Sequence, residues 1–182
     1  MKITLAGSPG SGKSTLRKLL AEHYGLSTKG TGDFMRELSA KYGYSDITQF
    51  LVEYVSEHPE VDHQVDEEQR IYGKENDDFV LDAHLGFHFV PDSIRICLIC
   101  DLEEAARRIL DDSGRTTESA TNIKDSIDSS QQRRDTMHKN FLSLYQVDID
   151  DHSNFDFVLD TSSLSSTEVF EKVTDFIDSL ST

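Results

Sequence analysis

The chain has 182 residues, enough for one domain with a buried core that needs neither disulfides nor a structural metal. No apolar run approaches the eighteen or so residues of a membrane span, and residues 1–25 do not have the make-up of an export signal. With 34 Asp and Glu against 18 Lys and Arg the formal net charge is −16, which argues against a long contact with a nucleic-acid backbone, since such contacts rest on clustered cations.

The first apolar run, residues 3–6, reads as a buried strand that ends in a glycine-rich loop. A helix is expected over 13–24, where Leu16, Leu19, Leu20 and His23 recur at helical spacing and Gly25 supplies the stop. A second helix covers 31–42. A third begins after Ser45, buries Phe50, Leu51, Tyr54 and Val55, and ends before Pro59. Residues 60–76 form a charged helix with Val61, Val65, Ile71 and Tyr72 turned inward. Further strands are expected at 79–81, 94–99 and 155–159. Cys97 and Cys100 lie three apart in the apolar run of residues 94–100 and so, on a strand, point to opposite faces, as small core hydrophobes rather than a redox pair. Leu102, Ala105, Ala106, Ile109 and Leu110 mark a helix, a polar stretch follows at 111–121, and a long helix should come after it. The last helix opens at Ser165, three residues before Glu168, with Val169, Phe170, Val173, Phe176 and Ile177 inward. Short apolar strands alternating with helices indicate an α/β fold: a parallel sheet covered on both faces, three layers in all.

Directly after the first strand, Gly7-Ser8-Pro9-Gly10-Ser11-Gly12-Lys13-Ser14 matches G-x-x-x-x-G-K-[ST]. Glycines let several backbone N–H groups converge on phosphates, and the helix start adds its partial positive charge. Lys13 then serves as the mobile cation at the β- and γ-phosphates, the Ser14 hydroxyl is a Mg²⁺ ligand, Pro9 only shapes the loop, and Thr15 continues the ATP-binding segment. Asp82, closing the apolar run Phe79-Val80-Leu81, fits a second Mg²⁺ ligand; read alone, it could equally be a helix cap. The cofactors expected are ATP and Mg²⁺. A guanine-reading N-K-x-D element does not occur, and Asp111-Asp112-Ser113-Gly114 follows a helix instead of a strand, so a GTP switch is disfavoured.

The segment Gly30-Thr31-Gly32-Asp33-Phe34-Met35-Arg36 resembles the T-G-D-x-x-R element of nucleoside monophosphate kinases. His58-Pro59-Glu60-Val61-Asp62, Asp66-Glu67-Glu68-Gln69 and Tyr145-Gln146-Val147-Asp148-Ile149-Asp150-Asp151 extend the likeness, and nearly the whole chain resembles the archaeal type of cytidylate kinase. That resemblance implies one P-loop kinase domain over 1–182 with five parallel strands, including one near 26–29. It also implies a helical acceptor-binding insert over about 31–76 and a lid over about 107–140. By the same comparison Arg36 grips the acceptor phosphate, with Asp33 beside it, and Arg133 matches the family's lid-helix arginine. Arg107, Arg108, Arg115, Arg133 and Arg134 cluster in one stretch of an otherwise acidic chain, which suits a lid that sets Arg108, Arg115 and Arg133 around the moving phosphoryl group. The family's Gly-Arg after the third strand is Ala83-His84 here, which leaves His84 on the acceptor side, and its arginine late in the lid helix is Asn140. Asp62, Asp66 and Gln69 could read base edges or simply form a solvated face, and His84 with His88, four apart, lacks a third metal ligand.

The activity this implies is ATP-dependent phosphorylation of a nucleoside monophosphate, CMP or dCMP first, by a cytoplasmic monomer acting on small-molecule nucleotides without nucleic acid or membrane partners. Two alternatives stay open: a P-loop kinase of a nucleoside or other hydroxyl compound, which would want Asp33 as a base, and an ATP-binding regulatory module without turnover.

Overall fold

The computed structural model describes residues 1–58, 60–111 and 122–180. Five parallel strands, β1 (Lys2–Gly7), β2 (Ser27–Gly30), β3 (Phe79–Asp82), β4 (Ile94–Ile99) and β5 (Phe157–Asp160), pair in the order β2-β3-β1-β4-β5. β1 is central, with Ile3 opposite both Val80 and Ile94, and Leu5 opposite both Asp82 and Ile96. A strand flanked on both sides and covered on both faces buries nearly everything it carries: Ile3, Leu5 and Ala6 are apolar, and Thr4 between them is buried with its hydroxyl hydrogen-bonded to Ser93 Oγ at 2.9 Å.

Successive side chains of a strand go to opposite faces, and two cores result. Ile3, Leu5, Val80, Ile96 and Leu98 meet Leu16 and Leu20 of α1 (Lys13–Tyr24) and Val169, Val173 and Ile177 of the C-terminal helix. On the other face Ala6, Phe79 and Leu81 meet the insert, α2 (Thr31–Lys41), α3 (Ile47–Glu53) and α4 (Glu60–Glu75), through Phe34, Leu38, Phe50, Val61 and Val65. A short helix, α5 (Gly86–Phe89), follows β3 and adds Phe87 and Phe89 to that second core. The remaining helices are α6 (Leu102–Asp111), α7 (Ile123–Tyr145) and α8 (Ser166–Ser179).

The capping box at α8 forms as the spacing predicts: Ser165 Oγ accepts from the Glu168 N–H at 3.3 Å, and Glu168 Oε2 accepts from the Ser165 N–H at 2.8 Å. Other expectations need correction. β5 begins at Phe157 instead of 155, because the Phe155 N–H is taken by the His152 carbonyl in a 3₁₀ turn (His152–Asn154). Asp156 instead spends its backbone N–H and its carboxylate on Arg95. In α4 the buried face steps by four, through Val61, Val65, Gln69 and Gly73, and so leaves Ile71 exposed. Leu51, Leu102 and Leu110 are likewise exposed; Ala105, Ala106 and Ile109 alone carry the buried stripe of α6.

Candidate active site

β1 delivers the chain into the glycine loop at the centre of the sheet, and β4 shapes it from the side. At Gly7 (φ 132°) a Cβ would lie 1.9 Å from the Leu98 carbonyl oxygen, the same oxygen that accepts the Ser8 N–H at 3.2 Å. At Gly10 (φ 75°) a Cβ would lie 2.6 Å from the Ala105 carbonyl oxygen of α6. Both the left-handed backbone and the close approach therefore require glycine at these two places. Ser11 closes the loop, its Oγ donating to the Ser8 carbonyl at 2.8 Å. Lys13 lies along the inside of the loop, Nζ donating to the carbonyls of Gly7 (3.0 Å) and Ser8 (2.7 Å).

At the second residue of α1, Ser14 Oγ donates to Asp82 Oδ2 at 3.1 Å. The sheet register makes this possible by setting the end of β3 beside Leu5 of β1 and Gly30 of β2. Two hard oxygen ligands from distant parts of the chain thus face each other where the loop meets the helix, a donor set suited to Mg²⁺. A cleft of about 460 Å³ extends from the loop, lined by Gly10 through Thr15, Arg108 of α6, and Leu164 and Ser165 ahead of α8. Pro9 and Ser8 look the other way, into a small recess shared with His84, Cys97 and Arg134.

Arg108 lines the cleft with its guanidinium engaged. It donates to Glu104 (2.8 Å), to Thr161 Oγ1 (3.2 Å) and to the Thr161 carbonyl (2.7 Å). Glu104 is held down to about 2 by hydrogen bonds from Arg107 and then Arg108. Thr161, fully buried at the end of β5, shares its own hydroxyl proton between the carbonyls of Ser11 and Ile99, each 3.1 Å away. Nothing in the sequence pattern marks Thr161; its part in the site comes from where β5 ends.

On the insert side, Asp33 sits in the first turn of α2. Its Oδ2 accepts the Gly30 N–H (2.7 Å) and Arg17 Nη1 (3.0 Å), and its Oδ1 accepts Arg36 Nη2 (2.6 Å). Partial burial pushes the carboxyl up, but the hydrogen bonds from Arg36, Gly30 and Arg17 outweigh it and hold Asp33 below the usual carboxylate value. Arg36 is paired with Asp33 and mostly exposed. Arg17 is separated from Asp33 by sixteen residues, so no local spacing in the sequence marks it as part of this group.

His84 keeps only a small exposed edge. Burial, reinforced by Lys13, Arg133 and Arg134, drives its pKa down to about 3, and the ring is neutral. Arg133 is exposed on α7; Arg134 on the same helix pairs with Asp150 at 2.5 Å. Asn140 is exposed. Arg115 and the 112–114 part of the D-x-x-G spelling lie outside the described residues.

Of the base-reading candidates, Asp62 is solvated. Asp66 accepts from Tyr145 Oη at 2.6 Å, and Gln69 is buried against the backbone of its own helix. His88 packs against Phe89 and Tyr145. Among the described residues His84 and His88 belong to no group of three ligating side chains; His138, Asp148 and Asp150 do form one, half-buried to exposed. Both cysteines are free, and burial pushes Cys97 up to about 11 and raises Cys100 as well, which fits inert thiols.

No helix among the described residues is long and apolar enough to cross a membrane. Residues 3–153 match the model of the AAA domain family. The chain is 33% identical over 165 residues to a cytidylate kinase of Pyrobaculum aerophilum, a match covering 90% of this chain and 85% of that protein. To a cytidylate kinase of Pyrococcus horikoshii it is 34% identical over 179 residues, covering 98% and 88%. It is also 32% identical over 176 residues to an S-adenosylmethionine-dependent nucleotide dehydratase of Lacinutrix mariniflava; there the match takes in 94% of this chain but 35% of that protein, so the chain spans about a third of its length. Among solved structures, shikimate kinase from Bacteroides thetaiotaomicron has a TM-score of 0.67 at 13% identity over 98% of both chains, a likeness of fold. With the family model matched along most of its length and a third of its residues shared with these kinases, this chain belongs to the AAA domain family of P-loop proteins, in the kinase group of the archaeal cytidylate kinases.

Proposed function

We propose that this chain transfers the γ-phosphoryl group of ATP to a nucleoside monophosphate, with CMP or dCMP as the first acceptors to try. The commitment of Asp33 favours a phosphate over an alcohol as acceptor: with three hydrogen bonds and a depressed pKa it makes a poor base for a hydroxyl. A phosphate acceptor needs no base. Its oxygen is already anionic and attacks the γ-phosphorus as the bond to the β-γ bridging oxygen breaks, leaving ADP and a diphosphate. The cytidylate kinases among the relatives support the same reading.

In this assignment the loop from Gly7 to Gly12, with Lys13, Ser14 and Thr15, holds the triphosphate of ATP. Ser14 and Asp82 would hold Mg²⁺, which supplies charge neutralisation at the phosphates. Asp33, Arg36 and His84 form the acceptor side, with Arg36 the phosphate contact and His84 a neutral neighbour. Arg108, Arg115 and Arg133 supply positive charge around the transfer, Arg108 also anchoring the 161–164 loop through its carbonyl contacts. Catalysis is then positioning plus charge stabilisation, in a site that keeps water out while the group moves.

Incubation with ATP, Mg²⁺ and a panel of nucleosides, their monophosphates and small polyols tests the assignment. Diphosphate formation from one monophosphate is the expected result. Products from a nucleoside or polyol alone would move the reaction to a hydroxyl acceptor, and bound ATP without any product would make the chain a nucleotide-binding module.

A further inference from the structure

Arg17 does not line the cleft that extends from the glycine loop, yet its side chain is mostly buried. Its side chain is 16% exposed, and Nη1 meets Asp33 Oδ2 at 3.0 Å. The guanidinium lies so close to Gly30 that a Cβ there would come within 2.4 Å of Nη1. Nε is buried without a hydrogen-bond partner among the described residues. An orphaned buried N–H has a cost, so a contact that places the guanidinium here has to offset it. Asp33 provides that contact.

The other oxygen of Asp33 holds Arg36 at 2.6 Å, so the three side chains form a row of cation, anion and cation with a summed charge of +1. Take away the first cation, and Asp33 and Arg36 become a neutral pair in which the carboxylate repels an arriving phosphate about as strongly as the guanidinium attracts it. We propose that Arg17 is a positioning residue for the acceptor: from α1 it neutralises and fixes Asp33, so that the charge of Arg36 remains available to the acceptor phosphate. This role rests on the assignment of Arg36 to a monophosphate acceptor made above. It also ties the helix that begins at the phosphate loop to the helix that carries the acceptor contact.

Steady-state kinetics of Arg17→Met and Arg17→Lys, with the acceptor found in the panel, test it. Arg17→Met should raise the acceptor KM about tenfold, equivalent to about 1.4 kcal/mol. The KM for ATP should stay within about twofold and kcat within about threefold. Arg17→Lys, which keeps the charge but not the planar fork, should raise the acceptor KM by about threefold. Adding Asp33→Asn to Arg17→Met should recover part of the acceptor affinity, because it removes the uncompensated carboxylate; a merely structural arginine would show no such recovery. An unchanged acceptor KM in folded Arg17→Met, equal losses for both substrates, or a double variant no better than the single one overturns the role. Should Arg17→Met fail to fold, a wild-type KM in Arg17→Lys overturns it instead. A wild-type protein that phosphorylates no monophosphate removes the acceptor reading itself, and this role with it.

Discussion

Thr161→Val takes one hydroxyl from the base of the phosphate loop while keeping the shape of the side chain. The hydroxyl is fully buried, donates to the carbonyls of Ser11 and Ile99 at 3.1 Å each, and accepts from Arg108 Nη1 at 3.2 Å. It has one proton, so the two donated contacts count as one shared bond. Losing that bond costs about 1 kcal/mol, the contact from a charged donor about as much again, and a methyl left against buried carbonyls adds some desolvation, for a total of about 2–3 kcal/mol. Against the marginal stability of a domain, about 5–15 kcal/mol, the loss is readily measured by urea unfolding. Because Ser11 belongs to the loop, affinity for ATP should fall with it, by about threefold to tenfold in a fluorescent-nucleotide titration, each tenfold step being about 1.4 kcal/mol. Thr161→Ser, which restores the hydroxyl, should recover most of both. A valine variant within about 0.5 kcal/mol of wild type and equal to it in ATP affinity would show that the hydroxyl does not tie the loop down.

Four further outcomes are expected. Lys13→Ala should abolish phosphoryl transfer in a coupled ADP-release assay, while circular dichroism shows an unchanged fold. Asp82→Asn should raise the Mg²⁺ concentration needed for half-maximal rate by about tenfold or more, through loss of a charged oxygen ligand, and leave metal-free ATP binding as it was. Arg36→Ala should raise the acceptor KM by about tenfold or more without touching the KM for ATP, and a normal acceptor affinity would defeat its assignment. Asp156 is held below its ordinary value of 3.8 chiefly by hydrogen bonds from Arg95. Its ionised form therefore favours folding at pH above 3.8, and that contribution disappears as pH falls through the lower folded value. Asp156→Asn should thus be less stable than wild type at neutral pH and converge with it in strong acid, as read by denaturant midpoints.

What could be seen in the chain beforehand was what local chemistry dictates. The stop of α1 at Gly25 and the box of Ser165 with Glu168 each need only near neighbours, and each forms as read, whereas the loop from Gly7 to Ser14 is legible as a motif but takes its shape from distant partners such as Leu98 and Asp82. The edge strand β2, made of Ser27, Thr28, Lys29 and Gly30, has almost no apolar content because little of it is buried. It was reachable only through the family likeness, which set it one residue too early. Ile71 misled because a helix that docks along a fourfold step buries a narrow stripe, so hydrophobicity alone could not say which residues lay on it. Asp33 and Arg36 stood out as a motif, whereas Arg17 and Thr161 carry no motif at all. Their roles come from contacts that exist only once the sheet is assembled.

Gly7 abuts Leu98, Ser14 meets Asp82, and Ser11 accepts from Thr161, so none of the cradle is a local structure. A growing polypeptide that has emerged only as far as α4 holds every residue of the G-x-x-x-x-G-K-S signature and still lacks the neighbours on either side of β1. Nucleotide affinity is therefore expected late in synthesis, after β3, β4 and β5 have joined β1. For this molecule, the shape of the loop that meets the nucleotide is a property of the assembled sheet.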